Sequence, residues 1–359
     1  MGFLSFLKGA VNNSVLGVDI GTTSIKIAEI ESSGGGFKLN NYGLLDSSAH
    51  LVHPNKVLQT SGMKIYEDEA ADLLAELVAK MNPGTQNAVA SIAPFTAFTT
   101  TVDMPRIEDK DMQSAMEYQA KQYVPIPISE VAVDWFKVGE HEDDKGYYHQ
   151  QILLICVPKD QISRMQAVFK RANLNLSALE LENFALVRSA VGRDPLATLI
   201  IDIGSRSTSF TFCENGDPRY IATTDYAGSS LTQALSQSLS INPIRAEELK
   251  KDRGISSVGA GAELSTIMLP FVDVIISEAR RAQYNYQIIF PSAGAIERVI
   301  LSGGGANLMG LDKYVSDQFK VPALKASPFS RISYQPMLEP IIGEINPLLS
   351  VAAGLATRR

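Results

Sequence analysis

The chain has 359 residues, 45% of them hydrophobic and 20% charged, which is ample for a buried core and favours two or three domains. A formal net charge of −7 disfavours a general nucleic-acid binder, because phosphate backbones attract basic surfaces. No apolar run reaches the roughly 20 residues that a membrane-spanning helix needs, and Cys156 and Cys213 lie in apolar runs that read as buried thiols, not as a disulfide or metal pair.

The opening "MGFLSFLKGAV" has a short apolar face and one lysine; it lacks the length of a secretory signal, and Phe6 stands where myristoylation wants Ser or Thr. It reads as the terminal segment of a cytoplasmic protein. Three strands are predicted next, "VLGVDI", "SIKIAEI" and "FKLNNYGLL", with "SSGGG" at 32–36 as the loop between the last two. "YEDEAADLLAELVAKM" predicts a helix with Leu73, Leu74, Leu77 and Val78 on one face, "NPGTQ" ends it, and "NAVASIA" returns to strand.

Residues 95–177 read as a separate module. Strand "AFTTTVDMP" leads to helix "EDKDMQSAMEYQAKQY", which the prolines of "VPIPIS" terminate. Strands "VAVDWFKV" and "YYHQQILLICV" flank an acidic turn, and a helix from Lys159 to Ala172 with strand "LNLSALEL" completes a small α+β unit. In "HEDDKGYYH", His141, Asp143, Asp144 and His149 lie close together and read as a solvated hairpin tip; Trp135 and Phe136 read as module core.

A helix over "ENFALVRSA" precedes "ATLIIDIGSRSTSFTF" and "GDPRYIATT", which repeat the strand–turn–strand–turn–strand order of the N-terminus. Helices occupy much of 228–289, with Arg280 and Arg281 as surface charges. "RVILSGGGANLMGLDKYVSDQF" then gives strand, glycine turn and helix, and "NPLLSVAAGLATRR" a closing helix. Two like domains facing a cleft are the expected architecture.

The repeated unit is an acid at a strand end followed by a glycine turn. Gly21 and Gly204 let backbone approach a ligand without an intervening Cβ. Thr22, Thr23, Ser205 and Ser207 add hydroxyl donors beside exposed turn amides. Asp19 and Asp202 are placed to hold Mg²⁺ through its waters, since that ion dehydrates reluctantly, and Lys26 to reach a phosphate as a point charge. A Mg·ATP clamp with two jaws meets all these requirements. Gly303, Gly304, Gly305 and Asn307, in "LSGGGANL", form a third turn where a flat adenosine would lie; the spacing is not that of a Rossmann site.

These motifs resemble the phosphate-1, phosphate-2 and adenosine motifs of the actin, heat-shock chaperone and sugar kinase superfamily. Within it, "MPRIEDKDMQSAMEYQAKQYVPIPISEVAVDW", "LELENFALVR" and "ERVILSGGGANLMGLDKYVSDQF" resemble the PilM family, actin-like proteins of the type IV pilus inner-membrane platform. The resemblance implies an α/β, actin-like (ribonuclease H-like) two-lobed ATPase fold with an inserted α+β subdomain 1C. It assigns 1–94, 178–196 and about 340–359 to subdomain 1A, and 95–177 to 1C. It assigns 197–235 with 275–339 to 2A, and 236–274 to 2B. It also implies ATP with Mg²⁺ between the lobes, Glu247 and Lys250 beside ribose and adenine, and Glu182 orienting the attacking water of at most slow hydrolysis. The implied partner is the cytoplasmic N-terminal peptide of a PilN-like membrane protein in the groove between 1A and 1C, with pilus motor ATPases as further contacts. Localisation is then cytoplasmic, held at the inner membrane through the partner. Two alternatives are a small-molecule kinase of the same superfamily and an FtsA-like filament-forming division protein. The first would carry sugar-contacting loops, and the second a basic amphipathic membrane helix; neither is evident.

Overall fold

A computed structural model describes residues 14–46, 67–255 and 262–358. The N-terminal "MGFLSFLKGAV" segment lies outside them. Strands β1 (Ser14–Ile20), β2 (Ser24–Ser33) and β3 (Gly36–Asp46) precede helix α1 (Glu67–Met81) and β4 (Asn87–Ile92). Then come β5 (Phe98–Pro105), α2 (Asp109–Tyr123), β6 (Val131–Glu142), β7 (Tyr148–Pro158), α3 (Lys159–Arg171), β8 (Asn175–Leu181) and the short α4 (Glu182–Leu186). The second half runs β9 (Thr198–Ile203), β10 (Thr208–Glu214), β11 (Asp217–Thr224), α5 (Gly228–Leu239), α6 (Pro243–Arg253) and α7 (Ala262–Ile289). It closes with β12 (Arg298–Ser302), α8 (Leu311–Phe319), β13 (Ala323–Lys325), β14 (Ile332–Ser333) and α9 (Ile342–Ala356).

The predicted repeat is visible in the sheets. The first has the order β14-β3-β2-β1-β4-β8 and the second β11-β10-β9-β12-β13. In each, two hairpins place three antiparallel strands side by side and two further strands join in parallel on the side of the first strand; the first sheet gains a sixth, β14, parallel to β3. The predicted loop at 32–36 contracts to Gly34-Gly35: both have positive φ (59° and 85°), which lets β2 and β3 turn in two residues.

The third sheet, β5-β7-β6, is antiparallel. Its central strand carries "QILLICV" because both of its faces are covered. Ile152, Leu154 and Cys156 pack with Met112, Met116 and Ala120 of α2, whereas Leu153, Ile155 and Val157 join the main core. Trp135 packs with the α2 side, but Phe136 faces the other way, its ring 4.5 Å from that of Phe184.

Helix 159–172 and strand "LNLSALEL" read in sequence as part of the inserted module; contrary to that expectation, β8 pairs in parallel with β4 in the first sheet, and α3 buries Ile162, Met165, Val168 and Phe169 in the main core. Parallel neighbours need a crossover helix, and α3 supplies it for β4 and β8 as α8 does for β12 and β13. The three-stranded unit is an insertion ahead of that crossover helix.

Helix α9 lies against β1: a Cβ on Gly17 would stand 1.8 Å from the Ala352 carbonyl oxygen. Gly354 is equally tight against the Ala185 carbonyl of α4, at 2.0 Å. Helix α9 also reaches the second half, where the Pro347 carbonyl accepts the Gly303 amide at 3.1 Å.

Candidate functional site

The two hairpin turns are built alike. Gly21 N donates to Ser24 O at 2.9 Å and Gly204 N to Ser207 O at 3.0 Å. Each turn follows the strand bearing an acid, and in the ladder Asp19 stands opposite Lys26 and Asp202 opposite Ser209. The lysine therefore belongs to the first copy alone.

Parallel neighbours supply each acid with a serine. Ser91, on β4, donates its hydroxyl to Asp19 Oδ1 at 2.9 Å, and Ser302, on β12, stands beside Asp202. Neither serine was singled out in the sequence, because their adjacency follows from strand order alone. Lys26 Nζ donates to the other Asp19 oxygen at 3.0 Å. Asp202 Oδ1 is buried and has no hydrogen-bond partner.

The charges are strongly coupled. Burial pushes the Glu182 carboxyl well above the usual carboxylate range, and Asp19 and Asp202 push the same way against Lys26. Burial likewise raises Asp202, assisted by Asp19 and opposed by Lys26 and by a hydrogen bond from Ser302. Burial acts to lower the Lys26 ammonium, but its ion pair with Asp19, joined by Asp202 and Glu182, outweighs that and raises it. Three carboxyl groups thus converge on one ammonium, an arrangement short of positive charge.

Both turns open into one cleft of about 1350 Å³. Its lining brings together the cleft residues read from the sequence: Asp19, Gly21, Thr22, Thr23, Lys26, Glu182, Asp202, Gly204, Ser205, Ser207, Glu247, Lys250, Gly303, Gly304, Gly305 and Asn307. Glu247 and Lys250 face each other one helical turn apart on α6. Lys250 Nζ reaches Glu247 Oε2 at 2.6 Å and the Gly228 carbonyl at 3.0 Å, and Thr232 Oγ1 donates to the same carboxylate oxygen at 2.5 Å. Burial lowers the Lys250 ammonium; it acts to raise Glu247, but Lys250 and Thr232 overcome it and hold that carboxyl below its usual range.

The glycine turn after β12 divides its work. Gly303 has φ of 79°, and a Cβ there would stand 2.8 Å from Asp202 Oδ1; one on Gly305 would meet Ile203 Cγ2 at 2.4 Å. These two glycines let the turn lie on the end of β9. A Cβ on Gly304 would meet nothing nearer than 3.9 Å, so this backbone faces open cleft. Asn307 Nδ2 donates to the Glu344 carbonyl at 2.9 Å, which holds the following segment against α9. Phe95, which no motif marks in the sequence, stands at the cleft wall with the Arg206 guanidinium over its ring at 5.4 Å.

Comparison with known proteins gives a consistent picture. A sequence model of the family described as type IV pilus assembly protein PilM matches residues 17–359. Among solved structures, a chain of a PilM–PilN type IV pilus biogenesis complex superposes with a TM-score of 0.80 at 22% identity, covering 95% of this chain and 97% of that one. The ethanolamine utilization protein EutJ of Carboxydothermus hydrogenoformans gives 0.56 at 16% identity, over 99% of this chain and 92% of that one. MreB 5 of Spiroplasma citri bound to AMPPNP gives 0.54 at 14%, over 96% and 95%. The actin-like two-lobed fold expected from the sequence is the fold observed. Among the described residues, no helix is long and apolar enough to cross a membrane.

Proposed function

The chain belongs to the family of the type IV pilus assembly protein PilM, and on that premise we propose that it is a nucleotide-binding scaffold which docks a PilN-like membrane protein. The observation that carries the nucleotide reading is the doubled acid–glycine device meeting across one cleft. Its residues fit Mg·ATP: an unpartnered buried carboxylate oxygen on Asp202 and an excess of carboxyl groups suit a divalent cation, and two glycine turns offer amides and hydroxyls to phosphates. In this reading Asp19 and Asp202 hold Mg²⁺ through waters. Thr22, Thr23, Ser205, Lys26 and the amides around Gly21 and Gly204 receive the phosphates. Glu247 and Lys250 serve the ribose and base, while Gly303 to Gly305 and Asn307 form the adenosine wall. Glu182 would orient the attacking water, and in the absence of another dedicated base we expect slow hydrolysis or none.

The partner we propose is the cytoplasmic N-terminus of a PilN-like protein, bound as a short extended segment between the first lobe and the three-stranded unit; the PilM–PilN complex above supports it by likeness of fold. It would hold the protein at the inner membrane, where pilus motor ATPases are further partners. Fluorescence anisotropy with a labelled peptide of that segment tests this. Saturable binding that weakens with salt is expected, since the net charge of −7 complements basic peptide ends. Absence of binding by the folded, nucleotide-saturated chain would overturn the docking role.

A further inference from the structure

The tip of the three-stranded unit gathers side chains that the nucleotide cleft does not use. His141 on β6 stands directly opposite His149 on β7, which in turn stands opposite Pro105 on β5. Asp103 is two residues from Pro105 and therefore shares the face of both histidines. His141 Nε2 lies 2.9 Å from Asp103 Oδ2, and His149 Nδ1 lies 3.6 Å from Asp103 Oδ1. One ligand atom from each of the three falls within 4.8 Å of the others. Asp103 is separated from both histidines in sequence by a helix and more than thirty positions, so "HEDDKGYYH" by itself reads only as an acidic hairpin.

We propose that Asp103, His141 and His149 form a binding site for a divalent transition-metal ion of the zinc type. Two imidazoles and one carboxylate suit Zn²⁺ and its neighbours, whereas Mg²⁺ and Ca²⁺ want oxygen alone. Metal–ligand bonds of about 2.0–2.2 Å put adjacent tetrahedral ligand atoms roughly 3.3–3.6 Å apart. The 3.6 Å His149 separation matches, and the 2.9 Å His141–Asp103 contact is a hydrogen bond that the ion would replace with a shift of about half an ångström.

A second observation concerns the orientation of one ring. His149 Nδ1 is a buried atom with no hydrogen-bond partner. Its other nitrogen, Nε2, faces Asp143 Oδ2 at 3.5 Å, and Asp143 is itself fixed because its Oδ1 accepts the amides of Lys145 and Tyr147 at 2.9 and 2.8 Å. A carboxylate beside the far nitrogen, with the unpartnered Nδ1 directed toward Asp103, is the arrangement in which metal-bound histidines are held. The two rings stack with centroids 5.2 Å apart, so both already share one orientation. With three protein ligands the fourth position is left to water at an exposed tip. The ion would clasp the end of β5 to the β6–β7 hairpin, in exchange with solvent.

The test uses the full chain without an affinity tag, stripped with chelator and titrated calorimetrically with Zn²⁺, with Co²⁺ absorption as a second probe. One equivalent is expected to bind, and His141→Ala, His149→Ala and Asp103→Asn each to weaken it by about tenfold or more. A His50→Ala/His53→Ala control, which removes the remaining histidines, should leave it unchanged. No binding, binding retained by the His141→Ala/His149→Ala protein, or binding lost in the control would each overturn the site. Imidazole ¹⁵N resonances of the unmutated chain give a readout free of folding effects. The His149 Nδ1 signal must shift on adding Zn²⁺, and a stationary signal rejects the proposal.

Discussion

Asp19 and Asp202 occupy the same place in two copies of one hairpin, yet their partners differ. Asp19 is hydrogen-bonded by a serine and an ammonium, whereas Asp202 has Ser302 beside it and one buried oxygen, Oδ1, without a hydrogen-bond partner. Removing the Asp202 carboxylate should therefore cost the empty protein little, since burial already disfavours its charge. Glu182 is more constrained still: with its carboxyl pushed well up by burial and two acidic neighbours, a glutamine of the same shape should be accepted. Glu182→Gln is therefore expected to melt close to the unmutated chain and to bind nucleotide undiminished while any phosphate release stops. Phosphate release continuing at the original rate would remove Glu182 from the chemistry. Gly17 belongs to packing alone. Its missing Cβ would strike the Ala352 carbonyl oxygen at 1.8 Å, and neither backbone can yield without moving α9. Gly17→Ala should lose about 1–3 kcal/mol or more in denaturant melts, and an unchanged midpoint would show that α9 does not press on β1.

At the level of elements, much of the plan is legible from local pattern. The hairpins announce themselves through alternating apolar residues around a glycine turn, and the acids through their place at strand ends. Ser91 and Ser302 are invisible until parallel pairing is known, because β1 and β4 touch only across a long connection. The same limit hides the place of α3 and β8: their apolar residues are evident in sequence, but the core they enter is not. Once the crossover is recognised, the inserted unit has clear bounds. Phe98 pairs with Cys156, so the two ends of the insertion lie side by side. Excising 98–158 with a short glycine linker should leave a chain that still folds about β4, α3 and β8, though exposed apolar surface where Leu153, Ile155 and Val157 packed will lower its stability. A folded excision protein that binds the PilN-like peptide as well as the full chain would place the docking site elsewhere. Removal of 95–177, by contrast, takes out α3 and should abolish folding.

For the whole molecule, two lobes with the same strand order meet over a cleft, with α9 packed on β1 from one side and against α4 from the other. Such a cleft lets a ligand act as the joint between halves. A nucleotide bound only by the folded state stabilises it by about 2.7 kcal/mol at a hundredfold excess over Kd, so Mg·ATP should raise the melting temperature without fast turnover. The scaffold reading depends on the acids acting as cation-side ligands and not as mere turn residues. Calorimetric titration of Mg·ATP into the unmutated and Asp202→Ala chains tests this most directly. An Asp202→Ala protein should melt no lower than the original when empty and bind Mg·ATP far more weakly; equal affinity in the two folded proteins would show that Asp202 holds no cation.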